Sequence, residues 1–136
     1  MSEGSGDQAF EEFAFDVFAS RCPSRSAMEH LTGRWGVFAV AALHAGPARF
    51  NALRRRVDGI SEKMLSQTLQ ALERDGFVHR DARPTNPPHV EYRLTALGEQ
   101  VADRLLGLIE LLESRMPEVL EARDSYDEKR AEAPAR

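Results

Sequence analysis

The stretch that decides the fold is Ile60–Arg80, which reads ISEKMLSQTLQALERDGFVHR. If it is helical, its apolar side chains share one face, because residues three and four apart are neighbours on a helix: Met64, Leu65, Leu69 and Leu72. The other face carries side chains that form hydrogen bonds: Glu62, Lys63, Ser66, Gln67, Gln70 and Arg74. Ser61 is suited to cap this helix and Asp75-Gly76 to end it. The sequence predicts a helix that is buried on one side and equipped for hydrogen bonding on the other.

The segments on either side of this helix predict a winged helix-turn-helix. Before it, Asn51 can cap a short helix over about 52–57, with Leu53 inward, three arginines outward and Asp58-Gly59 as the turn. After it come Phe77–Arg80, a Pro-rich loop, and an alternating run that predicts a strand with one wet face: Val90, Glu91, Tyr92, Arg93 and Leu94. Two helices joined by a tight turn and followed by a hairpin are the elements of that fold. The predicted fold class is mainly α with a small β-hairpin.

The segment before the predicted domain core also reads as helical. Apolar residues recur from Met28 to Leu43 at helical spacing, predicting a single helix that Gly46-Pro47 stops. Arg49-Phe50 is a candidate for a very short strand.

Terminal segments complete the predicted organisation. Residues 1–8 are expected to be disordered, residues 9–20 to form an amphipathic helix, residues 21–97 to form the winged domain, and residues 98–123 to form a long helix capped by Thr95 and kinked or restarted at Pro117. Residues 124–136 are expected to be a flexible charged tail. The C-terminal helix is so broadly apolar that it needs more than one neighbour, and a second subunit is the economical supplier. The apolar face of the short N-terminal helix is expected to pack on the chain's own core or in a dimer core. The predicted dimer contacts are Phe10, Phe13, Val17, Val101, Leu105, Leu108 and Leu112.

Charge is distributed unevenly along the chain. The formal net charge is −4. However, residues 21–97 contain 12 Lys/Arg against 7 Asp/Glu, a net +5, while the segments on either side are acidic. A locally basic surface is what phosphate binding requires, whatever the net charge of the whole chain.

These features together predict a double-stranded DNA partner. An α-helix fits the major groove, where Gln can bind adenine, Lys guanine, and Ser either kind of edge. The predicted contacts on the reading helix are Ser61, Lys63, Ser66, Gln67 and Gln70. The predicted contacts to the DNA backbone or from the wing are Arg54, Arg55, Arg56, Arg80, Arg83 and His89. A protein-interaction adaptor that uses the same helix face without DNA remains the alternative.

Other function classes find little support in the sequence. No apolar run approaches the roughly 20 residues of a membrane span, and the acidic N-terminus lacks the features of a signal peptide, so a cytoplasmic protein without membrane contact is expected. A single cysteine excludes an intrachain disulfide. The four histidines are scattered and no phosphate-binding loop or catalytic triad is present, so neither a metal, a cofactor nor an enzyme is predicted.

The chain resembles the HxlR-type winged helix-turn-helix regulators, relatives of the MarR group, over about residues 20–112. The matching segments are Cys22-Pro23, Gly33-Arg34-Trp35, Gly46-Pro47-x-Arg49-Phe50, Gly59–Leu69, Leu72-Glu73-x-Asp75-Gly76, and Pro87–Gly98. The resemblance implies a homodimer that binds an inverted repeat and regulates transcription, most simply as a repressor, with the terminal helices at the dimer interface. His89 stands where the family commonly has Arg or Lys.

The resemblance also makes Cys22 a candidate redox sensor, because some HxlR-type proteins look to be sensors that detect oxidants or electrophiles through a cysteine at this Cys-Pro position. A thiol just before a helix feels the positive helix end, and Arg21 and Arg25 add positive charge, both of which favour the thiolate. A partly buried structural cysteine is the alternative. A small-molecule effector between the terminal helices is a further alternative that no residue pattern identifies.

Overall fold

The computed structural model describes residues 15–132. Their elements in chain order are α1 (Pro23–Thr32), α2 (Gly36–Leu43), α3 (Phe50–Arg56), α4 (Glu62–Arg74), β1 (Val78–Arg83), β2 (His89–Leu94), α5 (Ala96–Ser114) and α6 (Met116–Glu132). The chain divides into one compact unit that ends at Ala102 and a second that begins at Asp103. This order confirms the predicted winged helix-turn-helix. Within residues 15–132 no helix combines the length and apolarity that crossing a membrane requires.

The core of the first unit forms around α2, whose sequence GVFAVAAL contains no polar side chain. Ala39, Val40 and Leu43 are fully buried there. Contacts run from α2 to α1, α3, α4 and β2. The other fully buried large side chains are leucines of α3 and α4: Leu53, Leu65, Leu69 and Leu72. Burying one leucine side chain stabilises the fold by about 2 kcal/mol, so this layer is the main support for α4.

The single helix predicted from Met28 to Leu43 is wrong, because the chain breaks into α1 and α2 at Gly33–Trp35. The apolar spacing is continuous, but the backbones of the two helices approach closely at Gly36. A Cβ atom placed on Gly36 would lie 1.8 Å from the carbonyl oxygen of His30. Only glycine permits this approach, so the break lets both helices bury their apolar faces.

The turn between α3 and α4 forms as predicted. Gly59 has φ 87°, which glycine adopts without strain. The buried Ile60 follows, and Ser61 caps α4 by accepting a hydrogen bond from the Met64 N–H at 3.1 Å. The predicted cap at Asn51 is wrong: α3 begins at Phe50, and Arg49 precedes it in an extended conformation. The short strand predicted at 49–50 is a single bridge between Ala48 and Tyr92.

The two strands pair antiparallel as predicted, with Val78 opposite Leu94 and Arg83 opposite His89. The paired region is longer than the sequence indicated, so the loop at the tip shrinks from 81–89 to 84–88. At its base, Thr95 Oγ1 donates to the Gly76 carbonyl at 2.6 Å and accepts from the Gly98 N–H at 3.0 Å. This confirms Thr95 as the cap of α5 and ties the hairpin base to that helix.

The terminal segments differ from the predictions. Residues 15–22 form turns instead of the last part of a 9–20 helix, because Asp16 and Cys22 accept backbone hydrogen bonds that compete with helical ones. The disorder predicted for 1–8 and the start of that helix lie outside the described residues. At the other end, α5 stops at Ser114 and the helix restarts as α6 at Met116, next to the restart expected at Pro117. However, α6 runs to Glu132, so the tail expected to be flexible from 124 is helical to that point. Ala, Glu, Lys and Arg in this segment are good helix formers, which explains the difference.

Candidate nucleic-acid interface

Helix α4 presents its polar face to solvent on a rigid support. Lys63, Gln67 and Gln70 are exposed, and Ser66 is half-buried. Behind them, Leu65, Leu69 and Leu72 are at most 1% exposed, so rotation of the helix would uncover its apolar face. Lys63 and Gln67 are four residues apart and therefore neighbours on the surface. The structure brings together the side chains predicted to read base edges.

Two of these side chains also contact each other. Gln70 Nε2 donates a hydrogen bond to Ser66 Oγ at 3.3 Å. The Ser66 hydroxyl proton and the Gln70 carbonyl oxygen stay available, so the contact orders both groups without consuming their hydrogen-bonding capacity.

Met64 is misplaced in the sequence prediction. It was assigned to the inward face, yet its side chain is 39% exposed. The reason is angular, because Met64 lies about 100° around the helix from Leu65 and thus at the edge of the apolar face. It borders a surface cleft of about 480 Å³ together with Ser61, Gln67, Thr68 and Ala71 of α4 and its cap. An exposed apolar side chain beside donors matches the thymine methyl group in the major groove.

The arginines of α3 form a basic cluster next to α4. Arg54, Arg55 and Arg56 are all exposed, while the neighbouring Leu53 is buried. Within residues 15–132 the structure gives none of the three a carboxylate partner. Their positive charge is therefore directed outward, as predicted.

The wing is the hairpin of β1 and β2, and its charged residues lie in three different environments. Arg80 is exposed on β1. Arg83 is exposed too, but its guanidinium lies 3.2 Å from the Asp81 carboxylate, which offsets part of its charge. His89 is half-buried: its Nδ1 contacts the Arg49 guanidinium, and its Nε2 lies 3.1 Å from Glu91 without hydrogen-bonding geometry. Arg49, which the sequence prediction left out, is thus held against the wing.

Cys22 lies at the start of α1 and is half-buried. Its Sγ atom accepts a hydrogen bond from the Asp16 N–H at 3.2 Å and lies 3.2 Å from Ser24 Oγ. These hydrogen bonds, that of the Ser24 side chain foremost, lower the pKa of the Cys22 thiol below its ordinary value. The expected cause was different: Arg21 and Arg25 do not contribute, and Arg25 instead pairs with Glu29 at 3.1 Å.

Several large apolar side chains of the second unit are uncovered. Leu108 and Leu112, both predicted dimer contacts, are 59% and 50% exposed. Leu111, Leu120 and Tyr126 are also more than half exposed. Of the other predicted contacts, Leu105 is buried, Val101 and Val17 are half-buried, and Phe10 and Phe13 lie outside the described residues. In the part of the chain from Phe15 to Glu132, no group of three His, Cys, Asp or Glu side chains is arranged to hold a metal ion.

Comparison with known proteins identifies the family. The family model described as HxlR-like helix-turn-helix matches residues 30–119. The HTH-type transcriptional regulator YtfH of Escherichia coli K12 is 52% identical over 124 residues, which cover 91% of this chain and 97% of YtfH.

Solved structures show the same similarity. The transcriptional regulator ytfH from Salmonella typhimurium is 52% identical, with a TM-score of 0.76 over 81% of this chain and 98% of that one. The redox regulator HypR in its oxidized form is 35% identical, with a TM-score of 0.63 over 68% of this chain and 96% of HypR. The chain described above therefore belongs to the HxlR-like helix-turn-helix family of transcriptional regulators.

Proposed function

We propose that this chain regulates transcription as a homodimer that binds double-stranded DNA sequence-specifically, with α4 in the major groove. The observation that carries the proposal is the face of α4, where Lys63, Gln67 and Gln70 are exposed above fully buried leucines. A major groove about 12 Å wide admits one helix of this kind. The buried leucines fix which side chains point outward, and a fixed set of donors is what sequence reading requires.

Contacts to base edges are assigned by their chemistry. Lys63 suits the guanine O6 and N7 acceptors, and Gln67 suits the adenine N6 and N7 pair. Ser66 and Gln70, already 3.3 Å apart, would read an adjacent position together. Ser61 caps the N-terminus of α4 and would meet a phosphate beside the groove there.

Phosphate contacts would come from the arginines around α4. Arg54, Arg55 and Arg56 have outward charges and Arg80 lies exposed on the wing. Arg83 and His89 would contribute less, because Asp81 and Glu91 lie within 3.2 Å of them. Each phosphate neutralised releases counterions, so binding should weaken steeply with salt.

Dimerisation would supply the second half of the reading surface. Four leucines of α5 and α6 are at least half exposed and give these helices an uncovered apolar surface: Leu108, Leu111, Leu112 and Leu120. Exposed apolar surface of this kind marks sites of protein–protein contact. Pairing two copies through it would bury these side chains and present two α4 helices. For an inverted repeat, half-sites roughly 34 Å apart would match one helical turn of DNA. Bound across a promoter, such a dimer would act as a repressor.

The thiol of Cys22 would make this binding responsive to oxidants. The lowered pKa of the Cys22 thiol raises the thiolate fraction at neutral pH, and the similar protein HypR is named a redox regulator. An oxidant such as diamide removes two electrons and two protons from a pair of thiols. With one cysteine per chain, the product is a disulfide between subunits or a mixed disulfide with a small thiol.

The test begins with selection of bound sequences from a random duplex library, followed by titration of the selected duplex. The chain offers matched controls, since its two lysines are Lys63 on α4 and Lys129 on α6. Lys63→Ala and Gln67→Ala should each weaken specific binding about tenfold, as expected for loss of one base contact. Lys129→Ala and Gln100→Ala should bind like the wild type. Selection of no duplex, or equal affinities for the α4 variants and their controls, would refute the proposal.

A further inference from the structure

Arg34 is an exposed cation held in place by an aromatic ring. It lies in the junction between α1 and α2, and its guanidinium carbon is 4.9 Å from the ring centroid of Trp35. A guanidinium at this distance over an indole ring is attracted by the ring's negative face. The stack restrains a side chain that would otherwise sample many conformations in solvent.

The stack lies beside the start of α4. Arg34 and Trp35 line one side of the 480 Å³ cleft whose other side is formed by Ser61, Met64 and Gln67. Trp35 also reaches the turn that precedes α4, because a Cβ atom on Gly59 would lie 3.8 Å from Trp35 Cη2. Arg34 is therefore held beside the polar face of α4, although it does not belong to that helix.

The charge of Arg34 is not offset by its neighbours. Glu29, the carboxylate that lines the same cleft, lies 3.1 Å from Arg25 Nε. His30, another lining residue, lies 2.6 Å from Asp75. Across residues 15–132 the structure gives Arg34 no carboxylate partner. A restrained cation without a counter-charge is suited to an anion that comes from outside the chain.

We propose that Arg34 binds a backbone phosphate of the DNA strand next to the N-terminal half of α4, and that Trp35 is its positioning residue. The inference rests on the proposed insertion of α4 into the major groove. Phosphates border the groove on both sides of an inserted helix, which is where the cleft places Arg34. The planar guanidinium fork can donate two hydrogen bonds to one phosphate while its face stays on the indole.

The test uses the full-length protein and the selected duplex, titrated at a series of KCl concentrations. Arg34→Gln should weaken binding about tenfold and reduce the slope of log affinity against log salt by about 0.9, the value for one phosphate contact. Arg123→Gln removes an arginine from α6 and should change neither quantity. Arg34→Lys keeps the charge, so it should keep the slope and weaken binding about threefold through loss of the fork and the stack.

Trp35 provides an independent readout because it is the only tryptophan in the chain. Its emission should change when the duplex saturates the wild type, and the change should shrink in Arg34→Gln. Circular dichroism checks that these variants at an exposed position keep the fold.

The outcomes separate this inference from the proposed function. If wild-type protein binds and Gln67→Ala weakens binding, but Arg34→Gln matches Arg123→Gln in affinity and slope, the role of Arg34 is refuted and α4 insertion stands. An affinity loss in Arg34→Gln without a change in slope would also overturn the phosphate contact. If the wild type binds no duplex, the proposed function fails first.

Discussion

His30 Nδ1 lies 2.6 Å from the carboxylate of Asp75, joining α1 to the residue that ends α4. The side chains are 34% and 16% exposed, so the pair is partly shielded from water. Ser61 caps the other end of α4 by accepting from the Met64 N–H, a contact local to the helix. The orientation of the polar face therefore depends on the His30–Asp75 contact at one end as well as on the buried leucines.

Replacing Asp75 by Asn should lower the free energy of unfolding by about 1 kcal/mol, because the partly exposed contact with His30 loses the negative charge of its acceptor. Urea denaturation would measure the change. Asp58→Asn alters an exposed aspartate in the turn at the other end of α4 and should shift stability by less than about 0.5 kcal/mol. If both variants are equally stable, the His30–Asp75 contact does not hold the helix.

Gly36→Ala should destabilise the fold by about 3 kcal/mol, because the added Cβ would meet the His30 carbonyl oxygen at 1.8 Å and force α1 and α2 apart. The matched variant is Gly107→Ala in α5, where an added Cβ meets nothing within 4 Å. That substitution should stabilise by up to about 1 kcal/mol, since Ala is the better helix former. Thermal unfolding followed by circular dichroism would compare the two. Equal shifts would contradict the close approach at Gly36.

Local signals in the sequence were sufficient to predict α4. Its apolar spacing, the Ser61 cap and Gly76, with φ 82°, are each encoded within a few residues, and they predicted its position and most of its inward face. The hairpin was also predictable from alternation, although its pairing extends three residues further, to Arg83. The break at Gly33–Trp35 was not predictable, because it depends on how closely two helices approach in the folded chain.

The residues of the candidate site divide in the same way, into those predictable from local sequence and those that depend on tertiary contacts. The exposed donors of α4 follow from periodicity, whereas Arg34 and Arg49 became visible only through their tertiary contacts with Trp35 and His89. For Cys22, the sequence indicated a lowered thiol pKa but from the wrong neighbours. The hydrogen bond from the Asp16 N–H depends on the turns at 15–22, of which residues 15–20 are helical in the prediction, and the Ser24 contact forms at the start of α1.

Leu112→Glu tests the proposed dimer surface. A carboxylate within the proposed apolar interface should weaken dimerisation about 100-fold, because the charge would be buried without a partner. Sedimentation velocity over a range of protein concentrations would measure it. Glu113→Gln, at the neighbouring exposed position, should assemble like the wild type. A wild-type protein that stays monomeric at every concentration would refute this surface as a dimer interface.

Cys22→Ser tests the proposed response to oxidants. Under reducing conditions its affinity for the selected duplex should equal that of the wild type, because Cys22 is the residue that precedes α1 and lies outside the face of α4. Diamide should then reduce DNA binding by the wild type and leave the variant unaffected, since no other thiol is present in the chain. Titrations with and without diamide measure both effects. A variant that still responds would show that Cys22 is not the sensor.

The reactivity of Cys22 should depend on Ser24. The Ser24 side-chain hydrogen bond is the largest cause of the lowered pKa of the thiol, so Ser24→Ala should raise that pKa towards the ordinary value of 9.0. Because only the thiolate reacts with iodoacetamide, a higher pKa means less thiolate at neutral pH and slower alkylation. The rate measured against pH should therefore keep its plateau at high pH while its midpoint moves upward. Ser26→Ala is the control, because Ser26 Oγ donates to the Pro23 carbonyl instead of the thiol. Superimposable profiles for the two variants would mean that Ser24 does not tune this cysteine, and that the proposed sensitivity at neutral pH needs another cause.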